Sequence, residues 1–467
     1  MKRQIEWLVV IAAVLSNAAA QAHADSRPNV LLIVSDDQGW PDLGCMGIKP
    51  IETPNLDRIA ARGVRATNFY VTWPACTPSR GSILTGRFPQ RNGLYDMVRN
   101  DIVNYGHRFS PSEYAVSPEM TLGLDVREVT IGNVLQSAGY RTGVVGKWDM
   151  GQAKRFLPLQ RGFDFFYGHG NNGIDYFTHE RYGIHSIFRG NQRSDEDRGR
   201  YITDVFQREA LAFVQQPNDR PWFLYMCFNA PHGASAFGEG ESEKAKVGVQ
   251  APAEHIARQL ARGVPKNLAH YYAAVTRMDE AIGQLMQNID QSGQTENTLI
   301  IFLSDNGGSG NGGNSPLKGQ KSTMWEGGLR VPFLASWPSK LPKGVVTDEF
   351  LTSLELFPTI ATAAQATIPD GLKLDGFDLV PTLAGQVASP RKQMFWKRRD
   401  DKAARIGNWK WLQSAKGIGL YDLAADPNES HDLSFAQPKM LAKMQQAFTD
   451  WESEMTAAEP RGPFRDY

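Results

Sequence analysis

Cysteine is nearly absent: Cys45, Cys76 and Cys227 are the only three among 467 residues. So small and odd a set excludes a disulfide framework and leaves room for a cysteine with a chemical duty. Charge imbalance is missing too, with 50 Lys and Arg against 50 Asp and Glu. No block of like charges occurs, so neither nucleic acid nor a membrane surface is implied as a partner. The apolar run Trp7 to Leu15 is too short to span a bilayer comfortably. No later segment reads as a membrane span, and there is no internal repeat or low-complexity tract.

The length is enough for one large catalytic unit and a smaller one. Lys2-Arg3, the run Trp7 to Leu15 and the small residues ending Ala22-His23-Ala24 follow the plan of a secretory signal peptide over 1–24, cleaved near Ala24. The competing reading is a retained anchor helix. Export to a periplasm or to the medium is therefore expected.

From Arg27 to Asp36 the chain is almost continuously apolar, the pattern of a strand buried on both faces. Thr53-Pro54 through Ala61 reads as a short helix stopped by Gly63. Helices are expected over 130–138, 201–214 and 268–289, with strands at 140–145, 222–228 and 298–303. Cys227 then reads as a buried strand residue. Such alternation predicts an α/β fold: a large, mostly parallel sheet sandwiched by helices, occupying 25–375. Beyond about Asp375, shorter Trp-rich elements (394–396, 406–412, 420–421) predict a small antiparallel sheet, followed by a helix over 438–451, in a smaller unit at 376–467. Gly307 to Asn314 reads as a flexible rim loop.

Chemistry in such a fold gathers at the carboxyl ends of the strands. The polar residues there are Asp36-Asp37, Lys147 with Asp149, His232, and Asp305-Asn306. Asp36, Asp37, Asp305 and Asn306 offer only oxygen, which suits calcium first and magnesium second, and no His/Cys cluster suits zinc. One Asp-Asp pair can equally cap a helix; the second pair at another strand end strengthens the metal reading. Cys76-Thr77-Pro78-Ser79-Arg80 places a cysteine just before a proline-started helix, where anions and activated nucleophiles are favoured. Local physics alone leaves an ordinary buried thiol open.

Cys76-Thr77-Pro78-Ser79-Arg80 resembles the C-x-P-x-R signature of the type I sulfatases of the alkaline phosphatase superfamily, in which this cysteine is oxidised to formylglycine. The resemblance continues through Asn29 to Gly39, Gly146-Lys147-Trp148, Ala230-Pro231-His232, Ser304 to Gly307, Lys318 to Pro332 and Leu420 to Leu423. It implies hydrolysis of sulfate monoesters, on sulfated carbohydrates or aryl sulfates, after maturation by a formylglycine-generating enzyme. Asp36, Asp37, Asp305, Asn306 and residue 76 resemble the calcium ligands. Arg80, Lys147 and Lys321 resemble the cations around the nucleophile and the sulfate, and His232 the histidine near the leaving oxygen.

The segment Asp175 to His179 resembles one that lines the substrate pocket in arylsulfatase-like and N-acetylgalactosamine sulfatases, which makes His179 a candidate contact. Asp149 departs from the family, which commonly has histidine there; a carboxylate could accept the nucleophile's proton, or simply pair with Lys147. Lys318 and Glu355 stand where arginine and aspartate are usual. His107, His169 and His185 read as loop residues. A phosphate or phosphonate monoester hydrolase of the same superfamily is the alternative enzyme, and a non-catalytic glycan-binding homologue the alternative class.

Overall fold

The structure, a computed structural model, describes residues 27–47, 51–98, 110–217, 219–236 and 248–458. The leader expected at 1–24, and His107, lie outside the described residues. No described helix is long and apolar enough to cross a membrane.

Ten strands form the main sheet, in the order Val345–Thr347, Val64–Ala66, Phe333–Ser336, Thr298–Ser304, Asn29–Ser35, Trp222–Cys227, Arg141–Lys147, Phe165–His169, Ile187–Arg189 and Gln192–Arg193. The five from Thr298–Ser304 to Phe165–His169 run parallel. Antiparallel pairs flank them on both sides. His169, expected in a loop, is the buried last residue of a strand.

A central parallel strand must be apolar on both faces, because helices cover both. Val30, Leu32 and Val34 enter one core with Phe223, Tyr225, Cys227, Leu299 and Ile301. Leu31 and Ile33 enter the other with Leu224, Met226, Ile300 and Phe302. Against that second face the helix Lys266–Gln291 lays Val275, Met278, Ile282, Leu285 and Ile289, one apolar stripe at helical spacing. The other expected helices are present as Pro54–Arg62, Ile131–Ser137 and Ile202–Gln215. Thr130 and Asn133 close a reciprocal cap on the second of these.

Four antiparallel strands, Gln393–Arg398, Asp401–Ile406, Trp409–Ser414 and Gly417–Asp422, form the small sheet. The run 406–412, read from sequence as one element, is broken by a turn in which Gly407 adopts φ 57°, a conformation that glycine enters without a Cβ penalty. The helix Pro438–Ala457 sets Phe448 and Trp451 against Phe395 and Trp411. Tyr70, Trp325 and Phe350 join the same core, so the small sheet and the segments beside the main sheet share one apolar cluster.

A buried ion cluster ties the same junction. Lys410 Nζ lies 2.9 Å from both Glu326 Oε1 and Glu429 Oε1, and none of the three is exposed. Tyr70 donates its hydroxyl to Glu326, and the backbone N–H of Glu326 donates to Glu429 Oε2 at 2.7 Å. Lys410→Met would strand two buried carboxylates, so a loss of about 3–5 kcal/mol is expected, read as a lower urea midpoint, with partial recovery when Glu326→Gln is added. An unchanged midpoint would show that the cluster contributes nothing to stability.

Candidate active site

Four neighbouring parallel strands, Thr298–Ser304, Asn29–Ser35, Trp222–Cys227 and Arg141–Lys147, end on one edge of the sheet. Their adjacency delivers Asp305-Asn306, Asp36-Asp37, the turn to His232, and Lys147 with Asp149 to a single place. Backbone bonds hold the strand ends in step: Asp36 N–H donates to Ala230 O at 3.0 Å and Asp305 N–H to Ser35 O at 3.1 Å. Before Lys147, only glycine fits: Gly146 has φ 109°, and a Cβ there would fall 1.7 Å from the Cys227 carbonyl oxygen.

Cys76 is itself the first residue of the helix Cys76–Thr85, whereas the sequence suggested a position just before it. Pro78 sits within the first turn, where backbone N–H groups have no intrahelical partner and proline costs nothing. The helix is buried along its whole length, which keeps Cys76 and Arg80 out of bulk water.

The cations and carboxylates interleave. Arg80 reaches Asp305 Oδ2 through Nε and Nη2, both at 2.8 Å, and donates Nη1–H to the Lys147 carbonyl at 3.1 Å. Lys147 Nζ lies 2.7 Å from Asp36 Oδ2. Lys321 Nζ lies 2.7 Å from Asp37 Oδ1 and 3.3 Å from Cys76 Sγ. Cys76 Sγ is also 3.5 Å from Asp36 Oδ1. His232 Nε2 lies 3.7 Å from Asp37 Oδ2, while Nδ1 pairs with Gly233 O at 2.6 Å. Tyr176, in the segment thought to line the pocket, instead donates its hydroxyl to the His232 carbonyl at 2.7 Å and so positions that turn.

Burial opposes every charge here, and the partners decide the outcome. Desolvation would neutralise Lys147 and Lys321, but Asp36 and Asp37 outweigh it and raise both above the ordinary lysine range. Burial likewise opposes ionised Asp37 and Asp305, yet Lys321 and Arg80 hold them below the usual carboxylate range. Asp36 and Asp149 are pushed up by burial. His232 is pushed down by burial and by the Lys321 ammonium, toward neutral imidazole. The Cys76 thiol is raised by burial, so the unmodified thiol is a poor nucleophile.

Asp149 Oδ1 accepts from Asn172 Nδ2 at 2.6 Å, and Oδ2 lies 3.7 Å from Lys147 Nζ. It belongs to the cluster but is shared between an amide and an ammonium. His179 does not reach the cleft: its ring is buried and Nε2 pairs with the Arg200 carbonyl at 2.8 Å. Lys318 packs 3.7 Å from the Trp325 ring centre and donates to Glu429 O at 3.1 Å, while Glu355 pairs with Arg391; both act as support. The glycine-rich loop is pinned, since Gly313 N–H donates to Asp42 Oδ2 at 2.7 Å and Asn314 braces Gly308 through bonds of 2.9 and 3.0 Å. The flexible rim expected there is a braced turn.

The carboxylates suit a hard divalent cation, but the donors gathered here also include a thiol and an imidazole, whereas the sequence reading grouped oxygen ligands alone. Ligand-type atoms of Asp36, Asp37, Cys76 and His232 all lie within 4.8 Å of one another. Asn306 donates Nδ2–H to Asp37 Oδ1 at 2.8 Å, while its buried Oδ1 has no hydrogen-bond partner. A buried amide oxygen left without a donor is costly unless a cation or water meets it.

Above the cluster a cleft of about 450 Å³, including its open mouth, is lined by Cys76, His232 and Lys321, and also by Asn172, Arg181 and Arg398. No motif or spacing singles out Asn172, Arg181 or Arg398 individually. They come from unrelated segments, and only their folded positions bring them together.

The sequence profile of the Sulfatase family matches residues 28–366, and that of the N-sulphoglucosamine sulphohydrolase C-terminal region matches 319–454. The chain is 30% identical to N-acetylgalactosamine-6-sulfatase of Canis lupus familiaris, covering 94% of this chain and 88% of that protein. It is 33% identical to arylsulfatase A of Homo sapiens, covering 89% and 80%. The solved structure of Ps i-CgsB in complex with k-i-k-neocarrahexaose superposes with a TM-score of 0.80 at 29% identity, covering 94% of this chain and 96% of that one. With its alkaline phosphatase-like sheet and a match over most of its length, this chain belongs to the Sulfatase family and is a sulfuric ester hydrolase.

Proposed function

We propose that the chain hydrolyses sulfate monoesters on sugars, using a formylglycine made from Cys76 and one calcium ion held by Asp36, Asp37, Asp305, Asn306 and residue 76. The observation that carries this reading is the position of Cys76 Sγ: on the first turn of a buried helix, 3.3 Å from Lys321 Nζ and 3.5 Å from Asp36 Oδ1. A thiol kept neutral there has no nucleophilic role of its own, whereas a converted side chain would stand among the groups that activate it. Sugar-directed relatives, the galactosamine sulfatase and the protein solved with a neocarrahexaose, support the substrate class. The leader-like start supports export, with a formylglycine-generating enzyme as maturation partner and residues 25–375 as the catalytic unit.

A hydrated formylglycine at residue 76 would supply two hydroxyls, one to attack sulfur and one to expel sulfate by collapse to the aldehyde, and a calcium ion held by Asp36, Asp37, Asp305 and Asn306 would supply positive charge to the site. The remaining work falls to the chain's own side chains. Arg80 and Lys147 are held rigidly by carboxylates, so they meet charge developing on the ester without reorganising. Lys321 stays charged and faces residue 76 from the cleft. His232, whose Nδ1–H donates to Gly233 O, carries a second proton on Nε2 only as imidazolium. An anionic ester opposes the downward shift, so bound substrate would favour uptake of a proton from water on Nε2, for delivery to the leaving alcohol. Asp149, kept basic by burial, accepts the proton lost by the nucleophile.

Peptide mass spectrometry should find an aldehyde at residue 76 in protein co-expressed with a formylglycine-generating enzyme. Cys76→Ala should lower sulfate release from sulfated sugars by at least about 10³-fold. Modified protein that releases phosphate but no sulfate would overturn the reading.

Chelation should lower the melting temperature, and calcium should restore it better than magnesium; at a hundredfold excess over the dissociation constant the gain is about 2.7 kcal/mol. Equal melting curves with and without either ion would remove the metal from the proposal. Asp149→Asn should lower kcat about 10²-fold and abolish the acidic limb of its pH profile, while a group that merely pairs with Lys147 would change the melting temperature and leave the limb in place.

A further inference from the structure

Asp149 and Asn172 reach the cluster from neighbouring strands. Lys147 and His169 end Arg141–Lys147 and Phe165–His169 in register, and Trp148 N–H donates to the His169 carbonyl at 2.8 Å. Just beyond those strand ends, the two turns set a carboxyl against an amide, both buried. Asp149 adopts φ 58°, a left-handed conformation that aspartate enters only at some cost. Contacts around its side chain must therefore hold it there. Immediately after Asn172 the backbone is confined, since a Cβ on Gly173 would fall 2.9 Å from His232 Nδ1 and 3.0 Å from Ser235 Oγ. The turn that carries Asn172 thus runs packed between His232 and Asp149.

Both ends of the Asn172 amide are engaged. Nδ2 donates to Asp149 Oδ1 at 2.6 Å and to Thr77 Oγ1 at 3.2 Å, and Oδ1 accepts from Arg181 Nη2 at 3.3 Å. An ionised carboxylate only accepts and a guanidinium only donates, so these partners fix which way the amide points. The two oxygens of Asp149 are thereby made unequal. Oδ1 is taken, whereas Oδ2 is buried, has no hydrogen-bond partner among the described residues and lies 3.7 Å from Lys147 Nζ. Burial pushes this carboxyl up, with Asp305 adding to the rise, while Lys147, Arg80 and a hydrogen bond from the Thr77 side chain oppose it. An N–H donated to the ionised form acts in the same direction as Lys147.

We propose that Asn172 is a positioning residue for the base: by taking Asp149 Oδ1 it leaves Oδ2 as the oxygen that receives the nucleophile's proton, and by bonding Thr77 it ties that carboxylate to the residue next to 76. Oδ2 takes up the proton and the carboxyl becomes neutral, its Oδ1 still accepting from Asn172, while the electron pair of the broken O–H bond stays on the attacking oxygen. This role rests on Asp149 being the base. Asn172 also lines the cleft, so a direct contact with the substrate is the competing outcome of the test.

The test compares kcat, KM and the pH profile on an aryl sulfate for the wild-type enzyme, Asn172→Ala, Asn172→Asp, Asp149→Asn and the double variant of Asn172→Ala with Asp149→Asn. Peptide mass confirms the aldehyde at residue 76 in each. Asn172→Ala should lower kcat about tenfold with KM nearly unchanged, and should move the acidic limb to higher pH because the ionised base loses a donor. The isosteric Asn172→Asp sets a second carboxyl against the first and should move the limb further. On the Asp149→Asn background, Asn172→Ala should change kcat by less than about twofold, since a residue that acts only through Asp149 has nothing left to act on. An equal loss of kcat on both backgrounds overturns the inference, and so does a raised KM at unchanged kcat, which would make Asn172 a substrate contact. Where Asn172→Ala fails to fold, Asn172→Asp carries the comparison, and an unmoved limb there is equally fatal. Asp149→Asn that keeps the acidic limb defeats the base reading and the inference with it. Loss of the limb in Asp149→Asn beside a wild-type limb in Asn172→Ala defeats the inference alone.

Discussion

The rest of the site depends on one constraint: charges removed from water must meet opposite charges at hydrogen-bond distance. Asp36, Asp37 and Asp305 stand against Arg80, Lys147 and Lys321 in a region where Asp36, Asp305, Arg80 and Lys147 have no exposure at all. An isolated ion there would lose its charge. Interleaving keeps Lys147 and Lys321 charged and Asp37 and Asp305 ionised despite desolvation. The main sheet makes this possible because its adjacent parallel strands end together, and a fully buried helix brings Arg80 in beneath them.

The same constraint recurs at the junction with the small sheet. Lys410 between Glu326 and Glu429 is a second buried array with no link to the chemistry, yet it fixes where the small sheet sits. That placement matters for function. The strand Gln393–Arg398 reaches the cleft only because Trp73 and Trp396 lock it to the segment before Cys76, through bonds to the Lys397 and Val71 carbonyls. A sheet that looks like an appendage in the sequence thereby becomes one wall of the pocket.

Residues near the buried ion cluster differ in how they can be read. Lys147 and Asp305 stand at the ends of strands that announce themselves as apolar runs, so their grouping follows from strand order. Asp149 stands where the resemblance led to an expectation of histidine, and its surroundings accommodate a carboxyl group: burial pushes its pKa up, Asn172 occupies one oxygen and Lys147 stands near the other. His179 shows the opposite case. A histidine in an aromatic segment suggested a substrate contact, but its ring is spent on a backbone carbonyl, and its neighbour Tyr176 does the positioning.

The α/β alternation, the apolar strands, the helix stripe over 268–289 and the motif around Cys76 were legible in the chain alone, because each is local and periodicity or spacing records it. Tertiary structure alone decided that Cys76 starts its helix, that 406–412 is two strands, that the glycine-rich loop is braced by Asp42, and that Asn172, Arg181 and Arg398 share a cleft. These depend on contacts between segments far apart in the chain. Such contacts leave no local pattern, because a lone arginine or asparagine reads the same whether it faces solvent or a substrate.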